Sequence, residues 1–228
     1  MPVDISKLTI TTPVATSATN PLALELNGAL AVARLPEVVS LQPDETLRLS
    51  APTRGASSKS TRRTRCEWKE PGYWTLDSAA VHRNHQRMRL VKVNAAQKVV
   101  VAQMHVKDDD SPPIKVFWNK GRITFGFRGA FDQPAPTNST LLANVPLAAD
   151  YEVDIQVDAA GSAIVSATCN GASATSGPLQ LERSWFGHAF NFHGGVYNQL
   201  DYDESTPAED GSVCVISELA LSHGTRSA

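Results

Sequence analysis

The nine residues that begin at Asn191 read Asn-Phe-His-Gly-Gly-Val-Tyr-Asn-Gln and combine hydrogen-bond donors, acceptors and titratable groups. If they form a β-strand, successive side chains point to opposite faces of the sheet. The apolar side chains then share one face, and the opposite face carries Asn191, His193, Tyr197 and Gln199. The Gly-Gly step removes two side chains in mid-strand and lets another molecule approach the backbone. The pattern predicts the floor of a binding cleft.

Two other stretches show the same alternation of apolar and functional side chains. The first reads Thr-Arg-Cys-Glu-Trp-Lys-Glu and places Arg65, Glu67 and Lys69 on one face. The second reads Val-Val-Val-Ala-Gln-Met-His-Val and places Gln103 and His105 on one face. We expect the three strands to be neighbours in one sheet, so that their polar faces form a contiguous patch. A guanidinium, an amide, an imidazole and a phenol would then meet within reach of one ligand.

Each stretch also has an ordinary structural explanation when it is taken alone. Alternating Arg, Glu and Lys residues often form cross-strand charge pairs on a solvated sheet. A Gln-x-His pair is often structural, and a tyrosine in a strand that contains glycine is often a core or rim residue. The functional interpretation is favoured because three stretches of the same design occur in one chain.

The chain has 228 residues, a formal net charge of −2 and 42% hydrophobic residues. No Pro/Gly/Ser-rich linker divides this ordinary globular composition, so we expect residues 1–228 to form one domain. We expect no nucleic-acid partner, because proteins that bind nucleic acids are usually more basic. Positive charge is local, with five Lys and Arg residues from Lys59 to Lys69, and such a cluster can focus an anionic ligand. We expect the protein to be a monomer.

Short alternating apolar runs, bounded by turn-forming residues, recur along the chain and predict about ten or more β-strands. The clearest of these runs are residues 98–106 and 151–157. We also expect an edge strand within residues 1–20, a helix over residues 21–35 and a loop over residues 130–148. Many strands with little helix favour an all-β jelly-roll β-sandwich of two antiparallel sheets, with a concave substrate cleft on one face.

The three cysteines are an odd number and too few for a disulfide scaffold. Cys66 falls on an apolar strand face and is expected in the core, whereas spacing alone does not show whether Cys169 and Cys214 pair. The N-terminus shows no charged leader followed by an apolar run, and no stretch reaches the length of a membrane span. We therefore expect no membrane partner. As it stands the chain would be cytoplasmic, and it would be secreted or periplasmic if a leader was removed.

No motif indicates a metal or an organic cofactor, and we expect neither. The three aspartates that begin at Asp108 lack the spaced oxygen ligands of a calcium loop and indicate a solvated turn. His82 and His85 have zinc-like spacing, but no second pair of ligands accompanies them. The acidic segment 201–210 is expected to be a solvated connection, with a place at the border of the cleft as the alternative.

Together the three polar stretches resemble the motifs of the alginate lyases of polysaccharide lyase family seven. The family motifs read Arg-Ser-Glu-Leu-Arg, Gln-(Ile/Val)-His and Tyr-Phe-Lys-Ala-Gly-Val-Tyr-Asn-Gln. This chain has Arg-Cys-Glu-Trp-Lys from Arg65, Gln-Met-His from Gln103 and the nine residues from Asn191, in the same order. The resemblance covers about residues 47–223 and implies a jelly roll of two antiparallel sheets.

Three positions depart from the family pattern. Lys69 stands where the family has Arg, so a point charge replaces a bidentate fork. His193 stands where the family has Lys, so the charge at this position can be lost near neutral pH. Met104 stands where Ile or Val is usual, at a position that the family associates with preference for guluronate or mannuronate. The preference of this chain is therefore left open.

The resemblance implies β-elimination at a 1,4-linked uronate of an anionic polysaccharide, alginate. Arg65 and Gln103 would neutralise the carboxylate beside the acidic C5 hydrogen, and such donors contribute on the order of 3 kcal/mol each in comparable sites. His105 would act as base, and Tyr197 would donate its phenolic proton to the leaving O4. In the family, tyrosine serves as both base and acid toward mannuronate, and histidine serves as base toward guluronate.

The resemblance also implies a set of substrate-binding residues around these four catalytic candidates. The set comprises Glu67, Lys69, Asn191, His193 and Gln199. Within it, Glu67 is expected to orient Arg65 or Lys69 rather than to contact the sugar.

Two alternatives to an alginate lyase remain open at this point. One is a lyase for another polyuronate, such as glucuronan, which the three departures would accommodate. The other is a carbohydrate-binding β-sandwich without catalysis.

Overall fold

The computed structural model describes residues 3–224, and about half of them lie in β-strands. One α-helix, α1, spans Gly28–Arg34, and 3-10 turns span Ile5–Lys7, Leu76–Ser78 and Arg183–Trp185. In chain order the strands are β1 (Thr9–Ala15), β2 (Ala23–Asn27), β3 (Val39–Leu41), β4 (Leu47–Pro52), β5 (Arg65–Lys69), β6 (Val81–Lys92), β7 (Lys98–Val106), β8 (Ile114–Asn119), β9 (Ile123–Phe127), β10 (Thr137–Leu142), β11 (Tyr151–Asp158), β12 (Ser162–Cys169), β13 (Ala172–Thr175), β14 (Leu179–Gln180), β15 (Phe190–Asn198) and β16 (Gly211–Gly224).

The strands form two antiparallel sheets. The first sheet has the order β10-β9-β8-β7-β15-β5-β1-β2, and the second has the order β13-β12-β11-β6-β16-β4-β3, with β14 paired to β12. Apolar side chains from both sheets form one main hydrophobic cluster between them. The expected jelly-roll β-sandwich of two antiparallel sheets is confirmed.

The alternation of β11 illustrates how the sequence specifies a sandwich strand. Tyr151, Val153 and Ile155 are buried against the first sheet's apolar face, and the residues between them are only partly buried. A period of two places every second side chain in the core. The neighbouring strand β12 follows the same rule and pairs with β11 along almost its whole length, from Tyr151↔Cys169 to Val157↔Ala163.

The three strands that carry the polar stretches are adjacent in the first sheet, in the order β7-β15-β5. His193 lies opposite Gln103 on one side and opposite Lys69 on the other. Tyr197 lies opposite Arg65. The expectation that these strands are neighbours is confirmed, and it follows that their polar side chains share one face of this sheet.

Two irregularities in the ladder keep the polar side chains of β7 and β15 on this face. The pairing of β15 with β7 shifts between Gly194 and Tyr197, and the pairing of β7 with β8 shifts between Val100 and Ala102. Val101 and Ala102 are both in the main core as a result, whereas Val100 packs with Tyr197 outside it. An extra residue of this kind bends a strand and re-aims the side chains beyond it.

Two expectations about the N-terminal part of the chain are wrong. Residues 21–35 do not form one helix, because the segment divides into the strand β2 and the helix α1. Asn27 ends the strand pairing, and its side chain caps the helix by accepting a hydrogen bond from the backbone N–H of Ala29 (3.0 Å). The strand within residues 1–20 is not at the edge, because β2 covers β1 and takes the edge position.

The expected loop over residues 130–148 is also wrong in part, because β10 lies within it. This strand pairs with β9 at the edge of the first sheet, and most of its side chains are exposed. A Thr- and Asn-rich edge strand has little apolar alternation, so its pairing partner specifies it more than its own pattern does. β8 and β9 pair with each other as an antiparallel hairpin.

The three cysteines, Cys66, Cys169 and Cys214, are buried and free. Cys66 lies in the main core, as expected from its strand face. Within residues 3–224 there is no helix of the length and hydrophobicity that a membrane crossing requires.

Gly195 is the position where the fold most clearly needs a glycine, because its φ of 124° is strained for other residues. A Cβ atom there would lie 2.6 Å from the carbonyl oxygen of Cys66. We expect Gly195→Ala to lower the free energy of unfolding by on the order of 2 kcal/mol, measured by urea denaturation. Gly72→Ala is the matched control and should change little, because nothing lies within 4 Å of its added Cβ. Equal stability of the two variants would contradict the requirement for a glycine at position 195.

Candidate active site

A cleft of ≈ 490 Å³ lies on the polar face of the first sheet. Its lining residues are Ser60, Thr61, Arg63, Arg65, Gln103, His105, Asp110, Lys115, Tyr197 and Asp201. A second hollow of ≈ 340 Å³ adjoins it and contains Glu67, Lys69 and His193. Arg65, His105 and Asp110 line both hollows, so the two form one continuous groove across the strands. The four catalytic candidates of the sequence therefore share one groove.

The guanidinium of Arg65 lies over the ring of Tyr197, with 3.7 Å between the Arg65 Cζ atom and the ring centroid. This stacking follows from their opposed positions in the ladder between β5 and β15. Burial raises the pKa of Tyr197, and the Arg65 charge opposes that shift without cancelling it. The phenol therefore keeps its proton at neutral pH and can donate it.

A buried carboxylate links the first and second polar strands. Glu67 is 1% exposed and accepts a hydrogen bond from Gln103 Nε2 (2.6 Å), and its other oxygen lies 3.5 Å from Arg65 Nη1. The bond to Gln103 spans β15 at Gly195, where no side chain intervenes. Burial raises the pKa of Glu67, and the neighbouring Arg65 and Gln103 lower it. Glu67 thus contacts both Arg65 and Gln103, and the expected role of Glu67 in orienting Arg65 stays a prediction.

His105 lies against His193, with parallel rings whose centroids are 4.6 Å apart. Burial lowers the pKa of His105 to about 4, and the charges of Lys115, Arg65 and Lys69 act in the same direction. Because this value is far below the ordinary pKa of about 6.5, the imidazole is neutral at pH 7 and can accept a proton.

Hydrogen bonds fix the tautomer of His193. The side-chain amide of Asn191 donates to the carbonyl oxygen of Glu70 (3.0 Å), so its own oxygen faces His193 Nε2 (2.9 Å) and must accept from it. His193 therefore carries its proton on Nε2, and burial lowers its pKa well below the ordinary value. His193 is 6% exposed and Asn191 is 3% exposed, so both are buried beneath the ring of His105.

Lysines complete the positive surroundings of the groove. Lys115 on β8 lies opposite Gln103 in the ladder, and burial lowers its pKa. Lys69 is bonded to Glu25 of β2, which also accepts a hydrogen bond from Thr11 (3.0 Å). The expected binding residue Lys69 is therefore partly neutralised by an acidic partner, whereas Lys115 lines the groove beside Gln103.

Several groove residues were missed in the sequence. Lys115 lies in a strand that was recognised, but its place beside Gln103 depends on strand order. The acidic segment supplies Asp201, which borders the groove and forms an ion pair with Arg63 (2.8 Å). Asp201 thus borders the cleft, as in the alternative expectation, while most of the segment 201–210 is exposed, as expected for a solvated connection. Asp110 also lines the groove, although its neighbourhood was expected to be a solvated turn.

Three residues named from the sequence lie outside the groove lining: Asn191, which reaches the groove only through His193, Gln199 and Met104. Gln199 follows β15, and its side-chain oxygen lies 3.5 Å from Arg63 Nη1, so it contacts the groove through that arginine. Met104 is fully buried in the main core. Any influence of Met104 on substrate preference must therefore pass through packing rather than through contact with the sugar.

The histidines with zinc-like spacing do not converge. His82 bonds to His223 and His85 bonds to Asp154, because residues three apart in the strand β6 lie on opposite faces. Across residues 3–224, no three His, Cys, Asp or Glu side chains are grouped so that they could hold a metal ion.

The fold and the groove together define an all-β protein with a cationic, hydrogen-bonding site on a concave sheet. The alginate lyase family model matches residues 3–223, so the chain belongs to the alginate lyase family and is a polysaccharide lyase. No curated protein sequence matches the chain.

Solved structures of alginate lyases share the fold at low sequence identity. One from Pseudomonas aeruginosa has a TM-score of 0.81 at 21% identity, covering 97% of this chain and 100% of that chain. One from Klebsiella pneumoniae has a TM-score of 0.82 at 16% identity, covering 98% of this chain and 97% of that chain. A double variant of the family 7 enzyme A1-II', in complex with a substrate, has a TM-score of 0.79 at 18% identity, covering 99% and 96%.

The protonation state of His105 can be tested directly in the free protein. We expect its ring resonances to titrate with a pKa of about 4 in an NMR pH series. Removing the neighbouring cation by Lys115→Met should raise this pKa, because the imidazolium then meets less repulsion. Lys107→Met removes a cation that lies over Tyr73 instead and should leave the His105 titration unchanged. A wild-type titration near the ordinary value would contradict the buried, cation-surrounded environment.

Proposed function

We propose that this chain is an alginate lyase that cleaves 1,4-glycosidic bonds of a polyuronate by β-elimination and leaves 4,5-unsaturated uronate ends. The observation that carries the proposal is the meeting of Arg65, Gln103, His105 and Tyr197 in one groove. The anionic polysaccharide is a natural ligand for this groove, because Arg63, Arg65 and Lys115 line it. A solved relative of the same fold holds a substrate oligosaccharide and another holds a product.

The first task in such a reaction is to neutralise the uronate carboxylate, since removal of the C5 proton places further negative charge on it. In our proposal Arg65 and Gln103 perform this task. Glu67 holds both side chains in place, so their donors are oriented before the substrate arrives. Preorganised donors of this kind stabilise a developing anion without reorganisation at the moment of reaction.

The second task is proton transfer, and the two titratable groups are suited to opposite roles. His105 is neutral at pH 7 and acts as the base that takes the C5 proton. Tyr197 is protonated at pH 7 and acts as the acid that protonates the leaving O4. Environments that separate the pKa values of two groups in one site support such an assignment of acid and base.

Substrate binding makes His105 a stronger base in this mechanism. In the free protein the charges of Lys115, Arg65 and Lys69 help to hold its pKa down. A bound carboxylate neutralises part of this charge and favours the imidazolium that proton abstraction creates. The basicity of His105 therefore rises when the correct anionic group is in place.

The remaining candidates act around this centre in our proposal. Lys69 and His193 line the second hollow, where the neighbouring sugar of the polymer would bind. Asn191 holds His193, and Gln199 holds Arg63. All these side chains come from one chain, so we propose that residues 1–228 form one catalytic domain that acts as a monomer.

Tyr197→Phe tests the assignment of the acid. We expect kcat on alginate to fall by about 10²–10⁴-fold, because the variant keeps the ring over which Arg65 stacks and loses only the proton donor. Turnover is followed by the ultraviolet absorbance of the conjugated unsaturated uronate. Affinity for oligosaccharide, measured by calorimetry, should be nearly unchanged.

Tyr202→Phe removes the same atom outside the groove and serves as the matched control, with unchanged turnover expected. Full activity of Tyr197→Phe would refute the acid role. A panel of poly-mannuronate, poly-guluronate, mixed blocks and glucuronan decides the substrate. Product from glucuronan alone would favour the other polyuronate, and binding without product from any of them would favour a non-catalytic carbohydrate-binding protein.

The base role of His105 makes a prediction about pH. We expect kcat/KM to rise with pH through a pKa of about 4, because protonation below that value removes the base from the free enzyme. The acid limb of kcat should lie at higher pH than that of kcat/KM, because the bound carboxylate raises the pKa of His105. Coincident limbs would contradict the proposed effect of substrate on the base.

A further inference from the structure

A second cluster of ionisable side chains joins the two sheets behind the groove. Glu70 directly follows β5 of the first sheet, and His82 and His223 lie opposite each other on β6 and β16 of the second sheet. His223 Nε2 lies 2.8 Å from Glu70 Oε1, and the Nδ1 atoms of the two histidines are 2.7 Å apart. Glu70 is 9% exposed and His82 is fully buried. A buried acid and two histidines therefore form one chain of hydrogen bonds across the sandwich.

Counting the donors in these hydrogen bonds gives the number of protons that the cluster holds. The carbonyl oxygen of Leu76 can only accept, so His82 carries a proton on Nε2, which lies 3.2 Å from that oxygen. With His82 neutral, its Nδ1 accepts the proton of His223 Nδ1. The remaining bond, from His223 Nε2 to Glu70, needs a second proton on His223. All three bonds therefore exist only when the cluster holds one extra proton, between His223 and Glu70. We place this proton on His223, because an imidazole is ordinarily a stronger base than a carboxylate.

Burial supports this placement of the charge. Burial lowers the pKa of His82, and the neighbouring His223 charge lowers it further, so His82 is the neutral member of the pair. The His223 side chain is 32% exposed, so its proton can exchange with solvent. The groups that face His223 are Glu70 from the segment after β5, His82 from β6, and the rings of Trp74 and Phe192.

Glu70 also determines how the end of β15 is held. Its Oε2 atom accepts hydrogen bonds from the indole N–H of Trp74 (2.9 Å) and from the backbone N–H of Phe192 (2.8 Å). Its backbone carbonyl accepts from Asn191 (3.0 Å), and Asn191 in turn accepts from His193, which stacks on His105. A continuous set of contacts therefore runs from His223 to the ring that the proposed mechanism uses as base.

We propose that Glu70 and His223 are positioning residues of the active site, which hold the end of β15 in place for His193 and His105 as long as one proton is shared among Glu70, His82 and His223. This proposal rests on the proposed function for its consequence in catalysis. The hydrogen-bond cluster itself does not depend on it. Loss of the shared proton breaks one of the three bonds, so alkaline pH loosens the support beneath His105.

The first experiment measures the protonation states in the intact free protein, and it is independent of any activity. Nitrogen-15 NMR of labelled histidine should show His82 neutral with its proton on Nε2, and His223 doubly protonated at neutral pH. Glu70→Gln should convert His223 to a neutral ring at the same pH, because the carboxylate partner of the imidazolium is gone. A neutral His223 in the wild type would overturn the proposal.

The second experiment measures kinetics of His223→Gln on the substrate that the wild type cleaves. We expect kcat to fall by about tenfold or more with KM within roughly twofold, because the cluster orients the base and touches no substrate. The ratio of wild-type to variant kcat should decline toward one as pH rises, since deprotonation of the wild-type cluster has the same effect as the substitution.

His85→Gln is the matched control, because His85 also lies on β6 and pairs with a carboxylate, Asp154 (3.2 Å), on the opposite face of that sheet. It should leave kcat unchanged at every pH. A His223→Gln effect that is constant across pH would indicate a merely structural role and overturn the proposal. If the wild type cleaves no polyuronate, the proposed function fails, and the NMR experiment still decides the protonation of the cluster.

Discussion

A carboxylate almost excluded from water, that of Glu67, is the constraint around which the groove is arranged. A buried charge without partners costs several kcal/mol, so its neighbours must supply donors and positive charge in fixed positions. Arg65 and Gln103 do so from two strands on either side of β15. The groups that stabilise Glu67 are also the ones that the proposed reaction uses to neutralise a substrate carboxylate. Ordering these donors is therefore part of folding and need not be repeated when substrate binds.

This arrangement requires polar side chains on a sheet face that has little contact with water. Every residue of β15 is buried, although the strand carries two asparagines, a histidine and a tyrosine. Most of these polar groups have a specific partner, such as Arg65 over Tyr197 or Asn191 beneath His193, whereas His193 Nδ1 is buried without a hydrogen bond. The bulge at Gly195 leaves space above the backbone for the bond between Gln103 and Glu67. A strand with ordinary solvent-exposed polar side chains would not need such partners.

The second sheet contributes more than a hydrophobic backing to the groove. Main-core residues from β6, β11 and β16 form one hydrophobic cluster with apolar residues of β5, β7 and β15. Polar groups also cross the interface, since Gln86 of β6 donates to the carbonyl oxygen of Val101 (2.7 Å) at the β7 irregularity. The Glu70 cluster is a second crossing of this kind. Both crossings end at strands that carry groove residues, so the two sheets are coupled where the chemistry is proposed.

The sequence by itself determined the all-β class, most strand positions and the face on which each candidate residue lies. Strand periodicity is local, so parity within β5, β7 and β15 already separates Arg65, Gln103, His105 and Tyr197 from the core. Local patterns fail where pairing decides the structure, as in the polar edge strand β10 and in the division of residues 21–35 between β2 and α1. The family motifs were also readable, because they are short and contiguous.

Only the tertiary structure decided which side chains from distant segments meet. Lys115 reached the groove because β8 lies beside β7, and Asp201 reached it through its ion pair with Arg63. Strand order, register and the two ladder irregularities depend on contacts between residues far apart in the chain, which no local period records. The same reason explains Glu70, His82 and His223, whose hydrogen bonds join segments 153 residues apart. Which side chains meet across the two sheets depends on how the sheets pack, and no local sequence pattern records that packing.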